Sequence, residues 1–171
     1  MSIAKKLLIA VVVAGIVLAV GLTIAVVSMP NERRFENEVE ISAPAEVVWQ
    51  VIKDRERYTE WQPQLERVEL VDGAKWVEYP KSAPEPLRFR LVNDSSPTRM
   101  AFSYTMGKSM SGTWAGEVAE TAGGVRLRTI DTYKVDGWLM KLMMGTFFDL
   151  DSFAKEWNGH LKQRAESLAK R

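Results

Sequence analysis

The chain has 171 residues, and because chains usually divide into separate cores only beyond ~250 residues, the part beyond Pro30 is read as one domain. Of 23 basic residues, Lys5 and Lys6 precede the first apolar stretch, and the remaining 21 face 22 acidic ones, which excludes a basic field for nucleic acid. Cysteine is absent, which permits either redox compartment.

Residues 1–6 are a short tail, and residues 7–27, LLIAVVVAGIVLAVGLTIAVV, are apolar with Thr23 the only conventional polar side chain. A hydrocarbon core about 30 Å thick needs roughly 20 apolar helical residues, so this stretch predicts a transmembrane anchor. A cleaved signal peptide would have an apolar stretch of about 7 to 15 residues and a small-residue cleavage site. Here the stretch is longer and Met29-Pro30 follows it. A buried soluble helix would keep a polar face. Lys5, Lys6 and the amino terminus precede the span and Arg33 and Arg34 follow it, a balance that tips towards the N-terminus inside. The expectation is a single-pass protein of the cell (inner) membrane with its domain extracytoplasmic. A spacer, residues 28–33, extends only ~20 Å at about 3.3 Å per residue and keeps the domain near the head groups.

The domain, residues 34–171, opens on an alternating segment with Phe35, Asn37, Val39 and Ile41 on one face and Glu36, Glu38 and Glu40 on the other. This is a half-buried strand. Pro44 suits a first helical position and Glu46 suits reaching back to the cap, while Val48, Val51 and Ile52 form a helical stripe. A second helical turn is expected over residues 55–60, before Trp61-Gln62-Pro63. Strands are then predicted over residues 65–71, 76–79, 87–92, 99–106, 113–120 and 125–135, an antiparallel meander. Asp72-Gly73, the segment from Asn93 to Pro97 and Gly123-Gly124 supply turn chemistry between them, and Pro80 to Pro86 reads as a stiff loop. In the last third, Leu139, Leu142, Met143, Phe147, Leu150, Phe153, Trp157, Leu161 and Leu168 fall three, four or seven apart, opposite Lys155, Glu156, Lys162, Gln163, Glu166 and Lys170. This predicts a long amphipathic helix on the sheet with a break near Gly145, which would bend its first part over the sheet rim.

The segment 39–54, VEISAPAEVVWQVIKD, followed by YTEWQP at 58–63, resembles the N-terminal signature of the SRPBCC superfamily, which includes START lipid-transfer domains and polyketide cyclases. Ser111-Gly-Thr-Trp114 and the Gly123-Gly124 hairpin are similar to its sixth and seventh strands, and the order of elements agrees over roughly residues 34–169. The resemblance implies an α+β helix-grip fold, a curved antiparallel sheet of about seven strands wrapped on a long C-terminal helix. With the anchor ahead of it, the chain is similar to a bacterial membrane-anchored subgroup. It also implies an elongated cavity between sheet and helix that holds an apolar ligand. One fold hosts many functions, and the motif residues mainly start a helix and pack a core.

On that resemblance the cavity walls are expected from Phe89, Leu91, Phe102, Tyr104, Trp114, Val118, Leu127, Thr129, Asp131 and Tyr133 on the strands, and from Leu142, Met143, Phe147, Leu150 and Phe153 on the helix. The same side chains would equally serve a solid core. Asp131 shares strand parity with Leu127 and Tyr133, and burial without partners would raise its pKa, so that it could act as an acid or bind a head group beside Tyr104 or Tyr133. The alternative is a solvated carboxylate near the open end of the strand. His160 is the only histidine and is read as a surface or boundary residue, with no spacing that suggests zinc. Ser109, Ser111 and Gly112 form no nucleophile elbow, and no phosphate loop or dinucleotide fingerprint appears. No catalytic residue, metal or cofactor is expected. The run from Trp138 to Met144 is apolar nearly all round, which suits a gate for acyl chains, a surface resting on the bilayer, or a helix start buried under the Pro80 to Pro86 loop. The partners expected are the membrane and a lipid or other hydrophobic small molecule. Two rivals stand beside that reading: a cyclase or dehydratase using Asp131, Tyr133 and Thr129, and a module that binds a protein partner.

Overall fold

Strand alternation and turn chemistry build a seven-stranded antiparallel sheet of order β1-β7-β6-β5-β4-β3-β2 in the computed structural model. The structure describes residues 2–83, 85–147 and 149–171, without the side chains of Leu22, Val27, Thr146 and Phe147. Its strands are β1 Glu32–Ile41, β2 Leu65–Asp72, β3 Lys75–Pro80, β4 Leu87–Ser95, β5 Arg99–Met106, β6 Met110–Thr121 and β7 Gly124–Val135. Six consecutive strands form the meander, and β1 joins its far side by pairing with β7, from Glu32 opposite Lys134 to Ile41 opposite Val125.

The helices are α1 Ile3–Ser28, α2 Ala45–Lys53, α3 Tyr58–Trp61, α4 Trp138–Phe147 and α5 Leu150–Ala169, with a 3-10 turn at Arg55–Arg57. Pro44 is the cap of α2 rather than its first residue, and no side chain completes the cap, so the capping role expected of Glu46 is not taken up. The amphipathic C-terminal segment is two helices. The second of them begins beyond Gly145, at Leu150, because Asp149 starts a new helix by accepting from the Ser152 N–H at 3.0 Å. Gly145 lies within α4.

Helix α1 is long and apolar enough to cross a membrane, with a mean hydropathy of 3.0 and an unburied apolar stretch. A signal sequence passes the same test of length and composition. Its C-terminal end rests on α4: Val26 is buried, Lys141 Nζ donates to the Met29 carbonyl at 3.5 Å, and a Cβ on Gly145 would stand 3.1 Å from Met29 Sδ.

The main core lies between the sheet, α2 and α5, where Val48, Ile52, Trp76, Met100, Leu127, Leu161 and Ala165 are sealed from solvent. A second cluster of Met106, Met110, Tyr133, Val135 and Met144 closes the other end of the sheet under α4, with Met140 packed against it. These two clusters define the two halves of the sheet-to-helix interface. The wall between them contains the site.

Candidate functional site

Antiparallel pairing lines up inward side chains in rows across the sheet. One row runs Phe102, Trp114, Asp131, Phe35, and the next runs Trp76, Phe89, Tyr104, Gly112, Tyr133. The rings in these rows are in register: Trp76 stacks on Phe89 with centroids 5.0 Å apart, Phe102 on Trp114 at 4.5 Å, and Phe35 on Tyr133 at 5.6 Å. Gly112 makes the second row possible. A Cβ there would stand 2.4 Å from Tyr104 Cζ and 2.6 Å from the Thr132 carbonyl, so the Tyr104 ring lies over β6 only because that position has no side chain.

Between these rows and α5 is a cavity of 130 Å³. An apolar cavity of about 150 Å³ admits a benzene ring, so this space accepts one ring or a short branched chain without rearrangement. Leu150, Phe153, Ala154, Trp157 and Asn158 of α5 form its roof, and Tyr58, Gln64, Leu65 and Glu78 its side beyond β4. Phe153 is the exposed member of the described wall and, with Leu150, Pro80 and Leu87, marks the outer end, where the β3 to β4 connection faces the start of α5.

Of the residues expected in the wall, Phe89, Phe102, Tyr104, Trp114, Asp131, Tyr133, Leu150 and Phe153 line this cavity. Leu127 and Thr129 do not. They have the right strand parity, but α5 lies over that half of β7, where Leu127 joins the sealed core and Thr129 accepts a hydrogen bond from Asn158 Nδ2 at 2.9 Å. Leu91 and Val118 likewise pack against the main core. Leu142 and Met143 are half-buried flanks of α4 and leave the inward face to Met140 and Met144, a phase that a helix apolar nearly all round cannot reveal in advance. The Phe147 side chain falls outside the described residues. His160 is half-buried, with Nδ1 3.2 Å from Gln62 Oε1.

Asp131 is among the walls, half-buried, and burial pushes its carboxyl from 3.8 up to about 7. The same burial raises the Tyr104 hydroxyl, with the Asp131 charge adding to the effect. Sequence reasoning missed a second carboxyl, Glu78. It is buried and pushed from 4.5 up to about 7 by that burial, against the opposing pull of the Trp76 Nε1 hydrogen bond at 2.8 Å and the charge of Arg55. The Arg55 guanidinium is stacked 3.9 Å over the Trp76 ring. Tyr58, raised by burial, donates its hydroxyl to the Ile52 carbonyl. The signal for Glu78 was present: it shares strand parity with Trp76, and an acidic residue on the face of a buried tryptophan enters the interior. Asn158 was also legible, since it lies three residues before Leu161 on the inward face of the helix.

The chain matches the family described as polyketide cyclase / dehydrase and lipid transport over residues 32–166. A comparison with curated proteins finds no match. Among solved structures, protein MLL2253 from Mesorhizobium loti is similar at 13% identity with a TM-score of 0.62, covering 79% of this chain and 98% of that one. A START superfamily protein from Mycobacterium smegmatis is similar at 15% identity and a TM-score of 0.53, covering 80% and 97%. The di-domain ARO/CYC StfQ from the steffimycin biosynthetic pathway is similar at 13% identity and a TM-score of 0.64. There the match covers 82% of this chain and 53% of StfQ, so the chain spans about half of that protein's length. At these identities the likeness is one of fold, the helix-grip fold of START-like and polyketide cyclase-like ligand-binding domains. With the family match running from the first strand through most of the last helix, the chain belongs to the polyketide cyclase/dehydrase and lipid transport family.

Proposed function

We propose that this protein is a single-pass, membrane-tethered binding module that takes a lipid or other hydrophobic small molecule into the cavity between sheet and α5. The supporting observation is the cavity itself, walled by aromatic faces and aliphatic side chains. Burial supplies the driving force: at about 0.8 kcal/mol per methylene, a guest of eight methylenes gains roughly 6 kcal/mol from water before entropic costs. Extraction from a bilayer gains less, because the chain is already dry. A long acyl chain exceeds the present space and requires the outer wall, the β3 to β4 connection and the start of α5, to move aside.

In this reading, residues 7–27 anchor the chain in the inner membrane, residues 28–33 are the spacer, and residues 34–171 form the extracytoplasmic binding domain. The contact of Met29 and Val26 with the α4 region supports a cavity close to the head groups. Native mass spectrometry of the full chain released gently from membranes tests the proposal. Co-purified apolar ligand is expected, and a consistently empty protein carrying a specific protein partner would replace this reading with an interaction module.

One observation favours a second reading. Two carboxyls whose protons leave near neutrality share one cavity with Tyr104, an arrangement suited to proton transfer in a cyclase or dehydratase. Turnover of a polyketide-like substrate that disappears in both Asp131→Asn and Glu78→Gln would favour it.

A further inference from the structure

The polar groups around the cavity are unequally satisfied. Tyr58 donates to Ile52, Asn158 donates to Thr129, and Glu78 accepts from the Trp76 indole with Arg55 acting on its charge. Asp131 has no such support. Among the described residues no group donates a hydrogen bond to its carboxylate, and burial alone, with no cation acting on it, accounts for its raised pKa. Its cross-strand neighbours are Phe35 on β1 and Trp114 on β6. Lys, Arg and His are all missing from the described cavity wall.

We propose that the end of the cavity at Asp131 is a subsite for the ammonium group of a compact apolar amine, held between Phe35 and Trp114 with its ring or short chain in the remaining space. The inference rests on the ligand-binding reading of the cavity and narrows it to a ligand class. An ammonium donates the hydrogen bonds Asp131 lacks and meets the negative faces of neighbouring rings. A fatty-acid carboxylate or a phosphate would bring like charge to Asp131 and Glu78, with no cationic side chain in the wall to receive it. A neutral guest would leave the half-buried Asp131 carboxyl without a partner. The volume of 130 Å³ agrees with a compact guest of about one aromatic ring.

Three probes of similar shape separate these cases: phenethylamine, 3-phenylpropionate and propylbenzene. Each is titrated into the full chain in lipid nanodiscs at about pH 8, where the raised carboxyls are ionised and the amine remains charged. Methyl-methionine NMR reads the signal of Met110, which lies on the cavity wall, so that partition into lipid is not mistaken for binding. Phenethylamine is expected to shift Met110 at concentrations at least about tenfold lower than either other probe. In Asp131→Asn that advantage is expected to disappear. Equal or tighter binding of 3-phenylpropionate, or an amine advantage that survives Asp131→Asn, overturns the inference. Response to propylbenzene without preference for the amine leaves the apolar cavity reading standing and removes the amine subsite alone. If no probe moves Met110, both fall together.

Discussion

The two ends of one interface, built from the same strands and the same helix, have opposite characters. At one end Leu127, Leu161, Ala165, Val48 and Ile52 meet without access to water, and the polar pair there, Thr129 and Asn158, is satisfied internally. At the other end Asp131, Tyr104 and Tyr133 face open space under Leu150 and Phe153. Strand parity is identical in both, so alternation alone does not make a cavity. What differs is the cover. Helix α2 supplies a second layer beside α5 over the closed half, whereas over the open half α5 begins anew at Leu150 and the small Gly112 leaves room for Tyr104 to lie flat.

The largest expected contrast is in packing. Leu161→Ala in the closed half should lower unfolding free energy by about 2–5 kcal/mol, because a sealed site cannot collapse around the missing atoms. Leu150→Ala at the open half should cost about 1 kcal/mol or less. Denaturant titration of the detergent-solubilised chain measures both, and equal losses would abolish the distinction between the halves.

A change of pH probes the open half next. Glu78 and Asp131 hold protons more tightly folded than unfolded, having moved from 4.5 and 3.8 up to about 7. The folded state therefore binds more protons between about pH 4 and 7, and stability should fall as pH rises through that window, then level off above it. The expected drop is roughly a few kcal/mol, shared between the two groups, and Glu78→Gln and Asp131→Asn should each flatten part of it. Carboxylates held low by cations, such as the half-buried Glu166 beside Lys162, act in the opposite sense and only at lower pH. A pH profile of melting temperature in which the wild type and Glu78→Gln run parallel from pH 4 to 7 would contradict this assignment.

Polar satisfaction in the closed half gives a smaller effect. Thr129→Val keeps shape but leaves the buried Asn158 amide without its acceptor, which should cost about 1–3 kcal/mol, and an Asn158→Leu partner change should recover part of it. A double-mutant cycle checks the coupling. Smallest of all, Arg126→Ala removes an exposed cross-strand partner of Glu40 and should alter stability by no more than about 0.5 kcal/mol. A larger loss there would mean that the β1 to β7 seam depends on surface charge more than on its backbone ladder.

The fold was legible to a large degree because its cues are local. Alternation in 99–106 matches β5, and Pro63, Gly73 and Gly124 fall at element ends or turns. The site was less so. Phe89, Phe102, Tyr104, Trp114, Asp131 and Tyr133 follow from inward parity, yet parity also nominates Leu127 and Thr129, and only the path of α5 separates them. Glu78 could have been found by its alternation with Trp76, but Tyr58, on the single-turn helix α3, and Gln64, in a turn, lie where there is no period to read. In α4 the apolar residues surround the helix, so choosing Met140 and Met144 over Leu142 and Met143 required the sheet rim to be in place.

By itself, then, the amino-acid order determined the apolar N-terminal helix, the succession of strands and helices and the side each strand turns inward, since these depend on composition and short-range periodicity. The tertiary arrangement alone decided which face of α4 points in and which half of the interface stays open. Those outcomes depend on contacts between residues far apart in the chain, such as Asn158 with Thr129 and Met29 with the region of Gly145, and no local pattern encodes their volume.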